Sequence, residues 1–560
     1  MPGITATIQS ASVDTLLQDF KQHADWQSGV AVVVILGLFT YLSVSLLTEA
    51  LSPLRRYPGP FLAKWTNIWR LLQVRTGHYH LEVKRLHDQY GPIIRIGPNI
   101  LDLDIPGLIK TIYGIDGRWC KTEFYHNNST FINGKITYHL FSETDQVEHA
   151  RMKRPIAKCY SQSSLLSFEP LMDRVITDFC THLNCRFAKR SNAATCDLGE
   201  WIAFYSWDMN GAASFSKRFG YMDKGHDFDD TVAIADKALD YFATVGQMPF
   251  LDFLLDKNPV IRIGPPNLGN VTRIALEHLI SRLQGKDEHF DPQVPDFLHY
   301  FIDAKKLYPD TVDDSTILGY LLVNLLAGAD TTAITIRAIF YFTLKNAAVY
   351  SKLEKEVLAA EFGEVAPFSA ARALPYLEAV VREAMRLHPG VCMLLERYVP
   401  GGGLTLPDGS FVPAGTAVGI NPYVVHRNRR VWGDDADAYR PERWLRGEPP
   451  GPVDETEGAF RERLRLFNAS DLTFGGGSRI CIGRSLAQME VYKIVATLVN
   501  RYEIEMVDPG KEWEVTGSWF CRQKGLECHL RARLAHDGAN RGLIGKTISS
   551  AVIMLFESHR

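Results

Sequence analysis

The proline-free run at residues 313–345 constrains the fold of this chain more than any other feature. Its spacing predicts one long helix. The middle of the run, Leu318–Leu326, is apolar nearly all round the helix axis, and such a helix is stable only when other elements bury it. We therefore expect a central helix inside a large body.

The pattern around this helix indicates a mostly helical body. From about 143 to 390, apolar residues mostly recur at helical spacing, and another helix is predicted at about 482–502. Residues 395–445 are rich in glycine, proline and β-forming residues, which predicts short strands and irregular loops. The expected fold class is mostly α with a small β component, and no Gly/Ser-rich or Pro-rich linker divides the 560 residues.

Charge and cysteine content exclude several classes of protein. The formal net charge is −3, so no basic excess points to nucleic acid as a partner. The nine cysteines are odd in number and scattered, unlike the disulfide framework of a small secreted domain. We expect reduced thiols in a protein body that faces the cytosol.

The N-terminal part predicts a membrane anchor. The 23 residues between Asp25 and Glu49 carry no charge, which is long enough for a helix to span a bilayer. Residues 1–25 carry one base and three acids, whereas residues 49–75 carry five bases and one acid. By the positive-inside rule, the large C-terminal part lies in the cytosol. The alternatives are a cleaved signal peptide and a buried core helix.

These charges define the predicted N-terminal organisation. We expect a short lumenal segment at 1–25, a transmembrane anchor at 26–48 and a basic, proline-rich hinge at 49–60. The hinge contains Tyr57-Pro58-Gly59-Pro60, in which the prolines stiffen the backbone. An ordinary turn is the alternative for this sequence.

One cysteine is singled out by its surroundings. Residues 474–483 read FGGGSRICIG, and Cys481 comes directly before the helix predicted at 482. Unpaired N–H groups at a helix start favour the thiolate and lower its pKa. The glycines allow a large flat group to approach the backbone closely. The spacing gives neither a zinc site nor a dinucleotide-binding GxGxxG. A haem iron with one thiolate ligand accounts for these features.

This segment resembles the FxxGxRxCxG haem-binding signature of the cytochrome P450 family, the haem-thiolate monooxygenases. The matching residues are Phe474, Gly477, Arg479, Cys481 and Gly483. The resemblance implies the fold of that family, heme b as the cofactor, and Cys481 as the axial ligand of the iron.

The central helix carries a second family pattern. Residues 327–332 read AGADTT and match (A/G)Gx(D/E)T(T/S). A carboxylate and hydroxyls inside an apolar helix are costly unless they are satisfied or functional. By resemblance, Asp330 and Thr331 deliver protons during the reduction of dioxygen. For Thr331 alone, a hydrogen bond to an upstream carbonyl is the alternative.

A third pattern implies a structural triad. Glu383 and Arg386 lie at i, i+3 on one helix, which alone would indicate a solvated pair worth little. They match the ExxR motif of the family, and residues 441–444 match its PER(F/W) motif. The resemblance implies that Glu383, Arg386 and Arg443 form a buried triad that holds the thiolate loop in place.

Further basic residues are expected at the haem propionates. Besides Arg479, Arg397 lies where family members place a propionate-binding base. His149 and Lys153 fall where many members have WxxxR, from which this chain departs. Both side chains can donate to a carboxylate. A solvated helix face is the alternative for this pair.

The resemblance covers about residues 57–533, and we place the haem-binding monooxygenase domain at 61–533. Residues 57–70 and the stretch at 326–344 resemble fungal members most, including the pisatin-demethylase-like group. Residues 534–560 depart from the family and form a C-terminal extension of unknown role. A gene-model artefact and a second surface contact are both open for this extension.

The expected activity is insertion of one oxygen atom from O₂ into an apolar organic substrate, a terpenoid, polyketide or aromatic compound of fungal secondary metabolism. Too few residues follow Cys481 for a flavin domain, so NADPH–cytochrome P450 reductase is the implied electron donor, and cytochrome b5 is a second candidate. The anchor implies a single-pass protein of the endoplasmic reticulum membrane. The alternatives are a reductase-independent isomerase or dehydratase and a non-enzymatic haem sensor.

The expected substrate pocket is assigned by position in the family. It comprises Phe131, Ile132 and Asn133, the helix face at 326–332, the stretch 391–395, and the turn at Ser518 and Trp519. Most of these residues are apolar, which suits an apolar skeleton.

Overall fold

The computed structural model describes residues 29–533, apart from positions 30, 38, 41, 42, 133, 134, 189–193, 259, 266–268 and 450. The predicted segments 1–25 and 534–560 lie outside the described residues. The described part is mostly helical with small sheets, which confirms the predicted fold class.

The body is built mainly from α-helices. They are α1 (Ile68–Arg75), α2 (Tyr79–Tyr90), α3 (Ile109–Ile112), α4 (Gln146–Lys153), α5 (Gln162–Leu165), α6 (Glu169–Leu183), α7 (Leu198–Phe215), α8 (Tyr221–Lys224), α9 (Thr231–Val245), α10 (Phe250–Leu255), α11 (Gly269–Leu283), α12 (Phe297–Leu307), α13 (Asp314–Leu344), α14 (Ala347–Ala359), α15 (Phe368–Arg372), α16 (Pro375–Leu387), α17 (Pro422–Val425), α18 (Arg429–Trp432), α19 (Glu457–Ser470) and α20 (Arg484–Arg501).

The strands are short and form several small sheets. They are β1 (Ile93–Gly97), β2 (Ile100–Leu103), β3 (Thr130–Ile132), β4 (Lys135–Thr137), β5 (Cys196–Asp197), β6 (Arg397–Tyr398), β7 (Leu404–Thr405), β8 (Phe411–Val412), β9 (Ala417–Gly419), β10 (Tyr502–Met506), β11 (Glu514–Gly517), β12 (Cys521–Lys524) and β13 (Glu527–Ala532).

The largest sheet has the strand order β1-β2-β9-β6. Strand β2 pairs antiparallel with β1 and parallel with β9, and β6 pairs antiparallel with β9 in the register Arg397↔Val418. A second sheet has the order β10-β13-β5, and β3-β4, β7-β8 and β11-β12 are antiparallel pairs. The strands predicted within 395–445 are thus present as β6–β9.

Helix α13 runs through the core, as the proline-free run predicts. It begins behind Asp313, whose side chain accepts a hydrogen bond from the Thr316 N–H, a cap worth about 1 kcal/mol. It packs most extensively along α7. The prediction that Leu318–Leu326 is buried on all sides is wrong for one face: Leu322 and Leu326 are only half-buried, because this face borders an internal cavity.

The segment predicted as a hinge is bound to the body. The Arg95 N–H of β1 donates to the Pro58 carbonyl at 2.7 Å, and the Tyr57 hydroxyl donates to Ser410 at 2.9 Å. A Cβ at Gly59 would lie 2.0 Å from the Arg95 carbonyl oxygen, so only glycine allows this approach. Residues 57–59 therefore pack as a loop against β1.

The described positions between 29 and 51 are helical, and their apolar side chains are exposed. Glu49 forms an ion pair with Arg95 at 2.7 Å, which joins the end of this helix to β1. Within the described ranges, α13 is the helix whose length and composition would suit a membrane span, but half of its apolar window is buried in the body. Its position identifies α13 as a core helix.

Candidate active site

A cavity of about 750 Å³ lies between α13, α4, α7, α9 and the segment before α20. Cys481 and Thr331 both line it. The Leu326–Thr332 face of α13 contributes four further residues: Leu326, Ala327, Gly328 and Thr332. The structure therefore brings the two sequence motifs, which lie far apart in the chain, onto one cavity.

The other predicted pocket positions divide into three groups. Val391, Leu395 and Trp519 line the cavity, as expected. Cys392, Met393 and Leu394 are buried in the core behind it. The side chains of Phe131 and Ile132, and all of Asn133, lie outside the described residues.

The segment before α20 has a backbone that only glycine permits. Gly475 and Gly477 adopt φ of 70° and 60°, in the left-handed region. A Cβ at Gly477 would lie 1.8 Å from the Tyr113 carbonyl oxygen. The Cys481 N–H donates to the Phe474 carbonyl at 2.9 Å and closes the loop. These contacts fix the direction in which Cys481 leaves the backbone.

The Cys481 thiol faces the cavity just before α20, whose first residue is Arg484. Burial raises its pKa, whereas the N–H of Gly483 and the charge of Lys153 lower it. The net direction is therefore a raised pKa, opposite to the lowering that the helix start alone predicts. Enclosure of the cavity disfavours the charged thiolate more strongly than the helix start favours it.

Thr331 and Asp330 point in different directions from α13. The Thr331 hydroxyl lines the cavity and donates to the Ala327 carbonyl at 2.7 Å, the local bond named above as its alternative. Asp330 is not among the cavity-lining residues. Its Oδ1 accepts a hydrogen bond from Trp207 Nε1 of α7 at 3.1 Å. Burial raises the pKa of Asp330 to about 7.

The three predicted triad residues are in contact and fully buried. Arg386 donates to both Glu383 oxygens at 2.8 and 2.9 Å, and Arg443 Nε donates to Glu383 Oε1 at 3.2 Å. Trp444 Nε1 adds a bond to Glu383 at 2.9 Å. Because the two arginines bind it, the pKa of Glu383 lies below its ordinary value despite burial.

The triad reaches the cysteine segment through His426. Arg386 donates to the His426 carbonyl at 2.5 Å, and His426 Nδ1 lies 3.1 Å from the Arg386 carbonyl. His426 Nε2 accepts from the Leu472 N–H at 2.9 Å. A proton on Nδ1 satisfies both bonds. Sequence reasoning missed His426, because nothing in its local pattern separates it from the other histidines.

Besides His139, which is bonded to the Asn128 carbonyl, five basic side chains line the cavity without a carboxylate partner among the residues that the structure describes. They are Lys121, His149, Lys153, Arg397 and Arg479. Carbonyl oxygens orient most of them: Lys121 bonds to Phe141 at 2.6 Å, Lys153 to Ser478 at 3.1 Å and Arg479 to Glu143 at 2.7 Å.

Burial and mutual repulsion act on the pKa values of these groups. Burial, with repulsion from Arg397 and Arg479, holds the pKa of Lys121 well below its usual range. The pKa of Lys153 is lowered, that of Arg479 falls to about 10 and that of His149 to about 3. Basic groups that face one cavity without a carboxylate partner form a site for an anionic group, whose charge would favour their protonated forms. Two carboxylates, as on haem, fit this set.

Lys121 was missed by sequence reasoning. Its Nζ lies 4.2 Å from the Tyr125 ring centroid and 4.4 Å from that of Phe141. The sequence shows this lysine close after Trp119, but no local pattern indicates that it is buried. Its burial beside Arg397 depends on the pairing of residue 121 with strand β6, which only the fold reveals.

Comparison with known proteins agrees with this geometry. The sequence model described as Cytochrome P450 matches residues 58–525. Cytochrome P450 monooxygenase cfoH of Aspergillus candidus is 47% identical over 89% of this chain and 93% of its own length. Cytochrome P450 monooxygenase cicH of Emericella nidulans is 37% identical over 86% and 94%. A cytochrome P450 monooxygenase of Aspergillus terreus is 34% identical over 87% and 97%. This chain therefore belongs to the cytochrome P450 family and is a haem-dependent cytochrome P450 monooxygenase.

Proposed function

We propose that this enzyme is a membrane-anchored haem-thiolate monooxygenase that inserts one oxygen atom of O₂ into an apolar organic skeleton and releases the other as water. One observation carries the proposal: a single cavity is lined by a cysteine at a helix start, a helix threonine and a set of basic side chains that have no carboxylate partner in the described part of the chain. Thiolate ligation, proton delivery and propionate binding account for these three features together.

Each residue has a distinct role in this proposal. Cys481 ligates the iron, and Gly477 and Phe474 shape the loop that presents it. Arg397, Arg479, Lys153 and His149, joined by Lys121, hold the propionates. The bound haem supplies the redox chemistry that activates dioxygen. Asp330 and Thr331 supply protons, and Glu383, Arg386 and Arg443 fix the loop.

The proposed substrate is a terpenoid, polyketide or aromatic compound of fungal secondary metabolism. Leu239, Phe242 and Trp519 form an apolar wall with Val391 and Leu395, and the Phe242 and Trp519 ring centroids are 5.3 Å apart. This wall suits a rigid apolar skeleton. The relatives named above come from filamentous fungi, which supports the biological setting.

The proposed location is the endoplasmic reticulum membrane, with a single-pass anchor at 26–48 and the catalytic body in the cytosol. Exposed apolar side chains support it: Phe61 and Ile68 near α1, and Phe253 and Ile261 in and after α10. Helix α1 packs against α9, whose end leads into α10, so both groups lie on one side of the body. At this membrane, NADPH–cytochrome P450 reductase delivers the electrons, and cytochrome b5 is a second candidate donor.

Spectroscopy and turnover test the proposal. The reduced, CO-bound protein is expected to show the red-shifted Soret band of a thiolate ligand, and Cys481→Ser to lose it. With reductase and NADPH, Thr331→Ala should retain the band but divert electrons from product to hydrogen peroxide. A histidine-type spectrum in the wild type would exclude the ligand assignment, and unchanged product per NADPH in Thr331→Ala would exclude the hydroxyl role.

The membrane arrangement has its own test. In microsomes, a tag at the N-terminus of the full chain should be protected from protease, whereas the catalytic body should be digested. Protection of the body would reverse the proposed topology, and release of the intact chain by alkaline carbonate would exclude a transmembrane anchor.

A further inference from the structure

The Asp330 side chain lies on the side of α13 that faces α7, not on the side that lines the cavity. Its Oδ1 accepts the hydrogen bond from Trp207 Nε1, and Oδ2 is buried without a partner in the described part of the chain. The side chain is almost fully buried. Because Oδ1 is occupied as an acceptor, an acidic proton on this carboxyl group resides on Oδ2.

Trp207 is held firmly in place. It is 1% exposed, and its ring lies 6.2 Å from Phe219 and 6.1 Å from Tyr221, measured between ring centroids. The neighbouring Asp208 carboxylate accepts the N–H groups of Gly220 and Tyr221 at 2.6 and 3.1 Å. These bonds hold the chain between α7 and α8 in place. They thereby hold the Phe219 and Tyr221 rings, which pack against the Trp207 indole.

Charged groups surround Asp330 without bonding to it. Asp236 of α9 raises its pKa, whereas Arg337 of α13 and Arg522 of β12 lower it. Arg522 is engaged with Asp236 and with Asp240, at 2.7 Å for the latter. Arg337 donates to the Gly199 carbonyl at 2.6 Å. Trp207 is thus the hydrogen-bond donor that orients Asp330.

We propose that Trp207 is a positioning residue for proton delivery, acting through Asp330. The indole N–H anchors Oδ1, so that the proton is carried by Oδ2, the oxygen that is free to pass it on toward the hydroxyl of Thr331, the next residue. In each cycle, the Oδ2–H bond breaks as its proton passes to the Thr331 hydroxyl oxygen, the Thr331 O–H bond releases a proton into the cavity, and a hydronium ion from solvent re-forms the Oδ2–H bond and leaves water. No electron is transferred. This inference rests on the proposed role of Asp330.

The hydrogen bond also sets the pH range of this step. An N–H donor stabilises the carboxylate and so lowers the pKa of Asp330. Trp207→Phe removes the donor but retains an aromatic ring. We expect the alkaline limb of product per NADPH to move upward by about one pH unit, because a bond to a charged group is worth about 1.5 kcal/mol or more.

The decisive experiment is a double-mutant cycle on the full-length holoenzyme with reductase and NADPH. Trp207→Phe is expected to lower product per NADPH at the wild-type optimum by about threefold to tenfold, with the lost electrons recovered as hydrogen peroxide. In the Asp330→Asn background, the same substitution should have almost no further effect. Trp201→Phe, on the same helix but without contact to Asp330, is the matched control.

Each outcome decides the inference. A lower yield from Trp207→Phe that persists in Asp330→Asn, or that occurs without the pH shift, shows a structural role and overturns it. If Asp330→Asn itself leaves the yield unchanged, the proposed proton-delivery role fails first, which is a separate result. If Trp207→Phe does not retain haem, the cycle is run with Trp207→Leu, which also lacks the donor, and Trp207→His, which keeps an N–H donor, should restore part of the coupling lost in Trp207→Leu.

Discussion

His426 Nε2 accepts the backbone N–H of Leu472 at 2.9 Å, and this bond joins the buried Glu383–Arg386–Arg443 triad to the segment that carries Cys481. Both partners of the bond are buried. The triad residues are distant in the chain from residues 472–481. The side chain of His426, which directly follows α17, connects the two. His426 is therefore the contact through which we expect the triad to stabilise the cysteine segment.

His426→Ala should loosen the cysteine segment, because it leaves the Leu472 N–H buried without an acceptor. The expected cost is about 1–3 kcal/mol, measured as a lower midpoint for thermal loss of the thiolate-type CO spectrum. His182→Ala, which removes a histidine whose side-chain hydrogen bond among the described residues is to the exposed Asp223, is the control and should have little effect. Equal midpoints in the wild type and His426→Ala would contradict the link.

Glu383→Gln should impair folding, because Arg386 would remain buried without an anion and Arg443 would keep only its ion pair with Asp435. Removal of one partner from a buried ion pair costs about 3–5 kcal/mol. The measurement is the yield of haem-containing protein and its urea midpoint. Glu378→Gln, on the same helix but partly exposed beside Arg372, should change the midpoint only slightly. Similar effects of the two substitutions would show that the buried network is not stabilising.

Gly477→Ala should prevent correct haem loading. The added methyl group would meet the Tyr113 carbonyl at 1.8 Å, and a φ of 60° is unfavourable for alanine. Gly458→Ala, in α19 with nothing within 4 Å, is the control and should be neutral or slightly stabilising. A normal reduced-CO spectrum in Gly477→Ala would show that the loop can rearrange without cost.

Lys121→Met should weaken haem retention. The buried ammonium lies beside Arg397 with no carboxylate partner in the described chain, so a propionate is the expected counter-charge. Loss of one charge-assisted bond should raise the rate of haem transfer to excess apomyoglobin about tenfold or more. Lys158→Met, at the exposed surface, should leave the rate unchanged. A rate equal to the wild type in Lys121→Met would remove Lys121 from the propionate site.

Product per NADPH should fall as the pH rises through about 7, because burial raises the pKa of Asp330 to about 7 and only the protonated acid can give a proton. The ratio of product to hydrogen peroxide, rather than the rate, separates this step from electron delivery. Asp330→Asn should give a low ratio that does not change over the same range. A ratio independent of pH in the wild type would exclude Asp330 as the acid.

Local sequence was sufficient for several features. The proline-free run at 313–345 predicted α13 to within one residue at each end, since caps and apolar periodicity are local signals. The spacing within residues 474–483 and within Glu383–Arg386 identified the cysteine segment and the arginine pair, because each motif is read over a few neighbouring residues. The family followed from the same motifs.

Other features depended on residues that are far apart in the chain. Trp207 and Asp330 lie 123 positions apart, and no pattern within α7 or α13 predicts their hydrogen bond. The orientation of Asp330 away from the cavity, the burial of Lys121 beside Arg397 and the raised pKa of the Cys481 thiol likewise arise from packing. Residue order determined which chemical groups this enzyme carries and on which elements. Their directions, partners and proton affinities were decided by tertiary structure, because burial and long-range contacts set the free energy of each charged group.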